Sequence, residues 1–148
     1  LYKCYDAQRR RYLKAHKRVS EYDSENLMYS VIEKVLAVPD FSELDCVVHS
    51  SLATLVKDFC NFTEREAQFV SNPLTHVDFL FFHKMNRLPM LAVEIDGTRF
   101  HAEGSPQEER DILKNSILEK CGIPLLRIRT DESGVGARIT SELRRVIG

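Results

Sequence analysis

The sequence contains no tryptophan, only four cysteines and no apolar run that approaches the 18 residues of a membrane-spanning helix. Residues 1–14 also lack the apolar core of a signal peptide, so we expect a cytoplasmic protein with no membrane partner. No two cysteines form a Cys-x-x-Cys pair; they are Cys4, Cys46, Cys60 and Cys121. This spacing argues against a zinc ribbon, a redox motif and a disulfide framework.

Net charge is also nearly absent, because 21 Lys and Arg residues balance 22 Asp and Glu residues to a formal charge of -1. No overall field draws such a protein to nucleic acid, so any basic surface must be local. Basic side chains concentrate in residues 1–20, which we assign as an arm or connecting helix before a domain over residues 21–148. The segment is either a solvated helix face or a phosphate-contacting arm. A start at Leu1 rather than Met fits a piece of a larger multidomain protein.

Hydrophobic periodicity predicts alternating helices and strands in one α/β domain, a natural number for a chain of 148 residues. Residues 52–59 are of helical or strand character, and residues 61–68 are a polar stretch. A helix begins at Ser24 and ends before Pro39, and another runs from Pro106 to a stop at Gly122. The predicted strands cover 44–49, 76–82, 90–96 and 124–129, and a last helix covers 137–147.

Two acidic residues interrupt strongly apolar strands, Asp78 within VDFLFF and Glu94 within LAVEID. A buried carboxylate costs free energy unless a partner or a metal compensates it. If residues 83–89 close a symmetric hairpin, opposed residue numbers sum to 172 and Asp78 lies opposite Glu94. Asp96 shares the strand face of Glu94. Such an oxygen-rich set suits Mg²⁺ or Mn²⁺ better than zinc.

The metal interpretation depends on that hairpin register. A slip of one residue would send Asp78 and Glu94 to opposite faces of the sheet. In the alternative interpretation, each acid pairs separately with an arginine such as Arg99 or Arg127. The residues alone leave both interpretations open.

Lys114 extends a stripe of helix residues at spacings of three and four, formed with Asp111, Leu118 and Cys121. The stripe predicts that Lys114 turns toward the sheet and the acids. A lysine beside a metal-bound water helps to deprotonate that water or stabilises charge on a phosphate, as phosphodiester hydrolysis requires. The alternative is a solvated lysine that pairs with Asp111.

Two histidines are candidates for supporting roles. His101 stands five residues after Asp96, where it either contacts a substrate phosphate or hydrogen-bonds the turn. His76 shares the strand face of Asp78 and is a candidate to support that acid. No function is predicted for the remaining histidines, His16, His49 and His83.

Three segments of the chain, HVDFLFF, LAVEIDGTRFH and ERDILKNSILEKCGIPLLRIR, resemble the core of the PD-(D/E)XK nuclease superfamily. The resemblance covers about residues 24–129 and extends to uncharacterised domains related to very-short-patch-repair endonucleases. In those domains an acid on one strand, an E-x-D-G-x-x-H turn and a D-x-x-K helix precede a Gly-Ile-Pro strand. The resemblance implies a restriction-endonuclease-like fold with an αβββαβ core, a central mixed sheet flanked by helices.

Carried onto this sequence, the resemblance makes Asp78 and Glu94 the metal-binding acids. It implies that the backbone carbonyl of Ile95 is a further ligand of the metal. It also matches Glu25 to the acid of the first helix and His101 to the histidine of the turn.

The superfamily's usual lysine, two residues after the second acid, is replaced here by Asp96. The resemblance implies that Lys114 supplies this function from the following helix, and in this interpretation Arg99, Arg127 and Arg129 contact the nucleic-acid backbone. We therefore predict a Mg²⁺- or Mn²⁺-dependent DNA endonuclease or nuclease domain. Two alternatives stay open: an inactive nucleic-acid-binding module of a helicase or another DNA-processing protein, and an enzyme that acts on RNA.

Overall fold

A computed structural model describes residues 19–20, 22–56, 61–97 and 103–148 of the chain. The predicted basic arm over residues 1–20 lies almost entirely outside these ranges. Arg99 and His101 also lie outside the described residues, so their predicted roles stay predictions.

The described elements alternate between helix and strand, and every predicted strand is confirmed. In order they are α1 (Asp23–Leu36), a 3-10 helix (Pro39–Phe41), β1 (Leu44–Ser51), α2 (Leu52–Leu55), α3 (Glu64–Ser71), β2 (His76–His83), β3 (Pro89–Asp96), α4 (Pro106–Lys120), β4 (Leu125–Arg129) and α5 (Val135–Ile147). None of the helices in the described ranges is both long enough and apolar enough to cross a membrane.

The four strands form one mixed sheet in the order β1, β2, β3, β4. Neighbouring strands from β1 to β3 are antiparallel, whereas β3 and β4 are parallel and are joined through α4. A parallel pair needs a crossover connection of this kind, because a tight turn cannot return the chain to the starting edge. The prediction of an α/β domain with a mixed sheet flanked by helices is confirmed.

The predicted hairpin register is confirmed over the middle of β2 and β3. The observed pairs are Phe79 with Val93, Leu80 with Ala92 and Phe81 with Leu91, all of which sum to 172. The register shifts between Phe81 and Phe82, so Phe82 opposes Pro89 and not Met90 as the symmetric loop predicted. The irregularity is confined to the loop end of the hairpin, where Arg87 adopts a φ of 62°.

The sheet separates two apolar cores and gives the domain three layers. On one face, α1 and α5 pack against Phe79, Phe81 and Ile128, all of which are fully buried. On the other face, α2, α3 and α4 cover Leu80 and Ala92. Because the sheet is covered on both faces, its central strands are apolar almost throughout, which makes Asp78 and Glu94 within them conspicuous.

Helix α3 corrects the prediction of a polar stretch over residues 61–68. Thr63 caps this helix, since its side chain accepts a hydrogen bond from the Glu66 amide at 3.1 Å and Glu66 Oε1 accepts one from the Thr63 amide at 2.9 Å. This reciprocal pair is a capping box, whose Thr-x-x-Glu pattern is visible in the sequence.

Helix α1 begins at Asp23, one residue before the predicted start. Tyr22 occupies the cap position without a side-chain cap, so Ser24 lies inside the helix. Asn26 ties down the preceding chain instead, because its Oδ1 accepts hydrogen bonds from the amides of Val19 at 2.7 Å and Ser20 at 3.1 Å. The start of α1 is thus fixed by a buried amide side chain.

Glu66 also joins α3 to α4 through a buried ionic network. Its carboxylate accepts hydrogen bonds from Ser116 Oγ at 2.7 Å and from Lys120 Nζ at 2.5 Å. These contacts, with Lys120 the strongest, hold the pKa of Glu66 at about 2, well below its ordinary value. The network therefore stabilises the fold only while Glu66 is ionised.

We expect Glu66→Gln to lower the free energy of unfolding at pH 7 by about 2 kcal/mol, because charged hydrogen bonds are lost. The gap between parent and variant should be complete above about pH 4.5, the ordinary pKa, and should close as the pH falls toward 2. Urea denaturation from pH 2 to pH 7 measures it. Glu64→Gln in the exposed first turn of α3 is the control, with an expected change within about 0.5 kcal/mol. A gap that does not depend on pH would contradict the account.

Candidate active site

Asp78 and Glu94 lie side by side on the face of the sheet that α4 covers. The β2–β3 register, extended one pair beyond Phe79 and Val93, places them opposite each other. Glu94 is 5% exposed, and its carboxyl group lies close enough to that of Asp78 for the two groups to interact. Burial first, and then the Asp78 carboxyl, raise the pKa of Glu94 to about 8. Two buried carboxyl groups placed this way repel each other when both are ionised, and a divalent cation between them would relieve that repulsion.

Lys114 contacts this pair from α4, as its helical stripe predicts. Its ammonium donates to Glu94 Oε1, and its side chain is only 18% exposed. This contact lowers the pKa of Glu94, although not enough to offset burial and Asp78. The alternative pairing of Lys114 with Asp111 is wrong, because Asp111 instead forms an ion pair with Arg127 at 3.6 Å.

Arg127 organises a second polar network next to the acid pair. Its guanidinium donates to Asn115 Oδ1 at 2.8 Å and to Asp96 Oδ1 at 3.1 Å, and it also reaches the backbone carbonyl of Asp111 at 3.4 Å. Asp96 and Asp111 are therefore held by Arg127 and stand apart from the contact between Glu94 and Lys114. Among the hydrogen bonds and ion pairs of the described residues, Arg127 reaches neither acid of the pair, so the alternative that it neutralises one of them is wrong.

Arg129, the other described arginine predicted to contact nucleic acid, is mostly exposed. It forms a two-point contact with Asp131, from Nε at 3.1 Å and from Nη2 at 3.0 Å. Its contact with a nucleic-acid backbone stays a prediction.

His76 lies next to Asp78 and is held in place by the backbone. Its Nε2 is 3.8 Å from Asp78 Oδ1, and its Nδ1 is 3.0 Å from the carbonyl oxygen of Leu74. The strand-face argument for His76 is thus consistent with the observed placement beside the acid.

Glu25 is buried at the start of α1 and points toward the end of β1. It accepts a hydrogen bond from Ser20 Oγ at 3.0 Å and contacts His49 Nε2. His49, for which the sequence suggested no function, has its ring 4.8 Å from that of His76. His49 also adopts a φ of 53°, which few residues other than glycine adopt, and no feature of the sequence reveals this backbone.

The predicted site residues therefore fall into two neighbouring groups. One group is a continuous set of contacts, to which the structure adds His49; its predicted members are Asp78, Glu94, Lys114, His76 and Glu25. The other group is the network that Arg127 forms with Asp96 and Asp111.

The sequence assigns the chain to a family, and the matched residues cover almost the same range as the described fold. A family model described as a protein of unknown function, DUF2726, matches residues 20–147. The chain belongs to the DUF2726 family. Comparisons with curated proteins and with solved structures found no match. The match spans every element from α1 to α5, so both groups of polar residues lie inside the DUF2726 domain.

The acid pair of this DUF2726 domain has the donor set of a hard cation. Asp78 Oδ2 accepts a hydrogen bond from the Ile95 amide at 2.8 Å, so the backbone of Ile95 is turned toward Asp78. In an extended strand the N–H and the C=O of one residue point to the same side, which aims the Ile95 carbonyl in that direction as well. Two carboxylates and a carbonyl are ligands that Mg²⁺ and Mn²⁺ prefer.

A groove of about 570 Å³ lies between α3 and α4, and it is lined by Lys114 and His76, which lie against Glu94 and Asp78. Exposed Arg65 and Arg110 also line it, with Glu109, Asp111 and the half-buried ring of Phe69. Another concavity, of about 610 Å³, lies between α4 and β4. Asp78 and Glu94 line neither concavity, but Lys114 and His76, which lie against them, line the groove and not this second concavity. We therefore regard the groove as the route by which a ligand approaches the acids.

Proposed function

We propose that this DUF2726 domain is a metal-dependent phosphodiesterase that hydrolyses DNA on a restriction-endonuclease-like fold. The observation that carries the proposal is the contact of Asp78 with Glu94 on adjacent strands, with the Lys114 ammonium on Glu94. The order α1, β1, β2, β3, α4, β4 matches the αβββαβ core expected of that fold, with α2 and α3 inserted after β1 and α5 added at the end.

The residues present fit a divalent cation. Asp78, Glu94 and the carbonyl of Ile95 would hold it. When bound, such an ion lowers the pKa of an attacking water and neutralises charge on a phosphodiester. A cation would also release Lys114 from Glu94, since both compete for the same carboxylate. Because Lys114 lines the groove, its freed ammonium would be placed to donate to a scissile phosphate.

The position of Lys114 also accounts for the departure from the superfamily motif. Asp96 stands where the superfamily has lysine, and its carboxylate is bound by Arg127. Asp96 therefore orders the end of β3 and offers no ammonium to a substrate. Lys114 brings the missing positive charge to the second acid from α4.

The groove favours a nucleic-acid strand as the substrate. Arg65 and Arg110 on its walls and Lys114 at its end are suited to backbone phosphates. Phe69 is half-buried against the core and lines the groove, where a base would stack on its exposed part. Glu109, which pairs with Arg65 at 2.8 Å, and Asp111 also line the groove, so its positive charge is partly offset.

An inactive binding module is the second candidate, because Asp96 occupies the usual lysine position. We expect the purified chain to cleave single- or double-stranded DNA with Mg²⁺ or Mn²⁺ and not with EDTA, as read on denaturing gels beside matched RNA substrates. Metal-dependent cleavage of RNA alone would assign the activity to RNA. DNA binding without cleavage under any metal condition would overturn the enzyme and favour the module.

A further inference from the structure

Two histidines, His49 at the end of β1 and His76 at the start of β2, converge on Asp78 beside the acid pair. The proposed hydrolysis uses Asp78 but neither histidine. One ligand atom from each of the three residues lies within 4.8 Å of those of the other two. The two imidazole rings are 4.8 Å apart and inclined by 55°.

Each of the two histidine rings is held in place by a contact to one of its two nitrogens. His76 Nδ1 is 3.0 Å from the Leu74 carbonyl oxygen, which favours a proton on Nδ1 and leaves the lone pair of Nε2 toward Asp78. His49 Nε2 contacts the buried carboxylate of Glu25, which leaves Nδ1 of His49 with a lone pair. Metal-binding histidines in proteins commonly donate their second ring nitrogen to a backbone carbonyl or a carboxylate in this way.

We propose that His49, His76 and Asp78 form a binding site for Zn²⁺ or a related transition-metal ion. Imidazole nitrogen is a ligand for such ions and a poor one for Mg²⁺. The two histidines and one carboxylate leave further positions for water or a substrate oxygen. This site shares Asp78 with the pair formed by Asp78 and Glu94, but it takes its nitrogen ligands from β1 and β2 in place of Glu94 on β3, and it does not depend on the proposed hydrolysis.

The backbone of His49 supports the same assignment. A φ of 53° is costly for a residue other than glycine, and strained residues cluster at ligand sites where the surroundings hold them in place. Here the strain places the ring between Glu25 and His76, two groups that would respectively orient it and share its metal.

Cobalt tests the site directly, because Co²⁺ bound to nitrogen ligands absorbs visible light and replaces Zn²⁺ in such sites. We expect titration of the metal-free chain with Co²⁺ to give visible bands that Zn²⁺ removes. His49→Asn and His76→Asn should each weaken Co²⁺ binding by about a hundredfold, and Glu25→Gln by about tenfold, since outer-shell partners tune affinity by 10- to 100-fold. His83→Asn, at the other end of β2, should leave binding unchanged.

The His83→Asn control shows whether a loss of Co²⁺ binding is specific to His49 and His76. Circular dichroism shows whether each variant folds. Cobalt bands that persist in both His49→Asn and His76→Asn would overturn the site, and so would the absence of any bands. Glu94→Gln separates this inference from the proposed function. It should retain the cobalt bands while it loses DNA cleavage. If the parent chain binds cobalt and cuts no DNA, only the proposed hydrolytic activity is overturned.

Discussion

Replacement of Glu94 by glutamine is expected to reduce metal-dependent DNA cleavage by about a thousandfold or more, because a cation supplies several kcal/mol of transition-state stabilisation. The amide has no negative charge with which to hold the cation opposite Asp78. Mn²⁺ binding, measured by isothermal titration calorimetry, should fall together with cleavage, since the same carboxylate carries both.

The substitution should leave the fold intact. Burial and the Asp78 carboxyl raise the pKa of Glu94 above its ordinary value, so its negative charge is disfavoured in the metal-free fold. Glutamine has nearly the same shape without that charge, and the melting temperature should change by a few degrees at most. Glu119→Gln, an exposed position on α4, is the matched control and should cleave as the parent does. Parent-like cleavage by Glu94→Gln would remove Glu94 from the mechanism.

Lys114→Met is expected to lower cleavage by about a hundredfold, the scale for loss of one charge-stabilising group. It should leave Mn²⁺ binding unchanged or slightly tighter. Methionine keeps an unbranched apolar stem but removes the ammonium that contacts Glu94. No metal ligand is lost, and the cation no longer competes with Lys114 for the carboxylate. Single-turnover cleavage and calorimetry together measure the two effects.

The asymmetry between binding and cleavage is what distinguishes Lys114 from Glu94. Lys34→Met, on the exposed side of α1, controls for the loss of one positive charge from the chain. If Lys114→Met cuts DNA as fast as Lys34→Met, the lysine of α4 has no part in the reaction. If it loses Mn²⁺ binding as well, its role is to shape the acid pair.

The acid pair could be predicted because two simple periodicities converge on it. Asp78 and Glu94 were identified as acids that interrupt apolar strands, and the assumption of a symmetric loop gave the mid-strand register, although the loop end itself pairs Phe82 with Pro89. Helical spacing of three and four was enough to turn Lys114 toward them. Each of these inferences uses local geometry that the chain repeats regularly, which is why the structure places the three side chains in contact.

The surroundings of the pair could not be predicted in the same way. Arg127 contacts Asn115, Asp96 and Asp111 because the parallel crossover brings α4 over β4. No local sequence pattern encodes this tertiary arrangement. The position of His49 depends on a left-handed backbone within β1. Helix α3 is a different case, since the Thr-x-x-Glu signal was present and the polar composition around it obscured the helix.

Anomalous diffraction from crystals soaked in Mn²⁺ tests most directly whether Asp78 and Glu94 share a divalent cation. We expect an anomalous peak between the two carboxylates, with the Ile95 carbonyl among its ligands and the Lys114 ammonium withdrawn from Glu94. Crystals soaked in millimolar Mn²⁺ that show no peak between these carboxylates, and in which Lys114 is still bound to Glu94, would contradict the proposed metal-dependent phosphodiesterase.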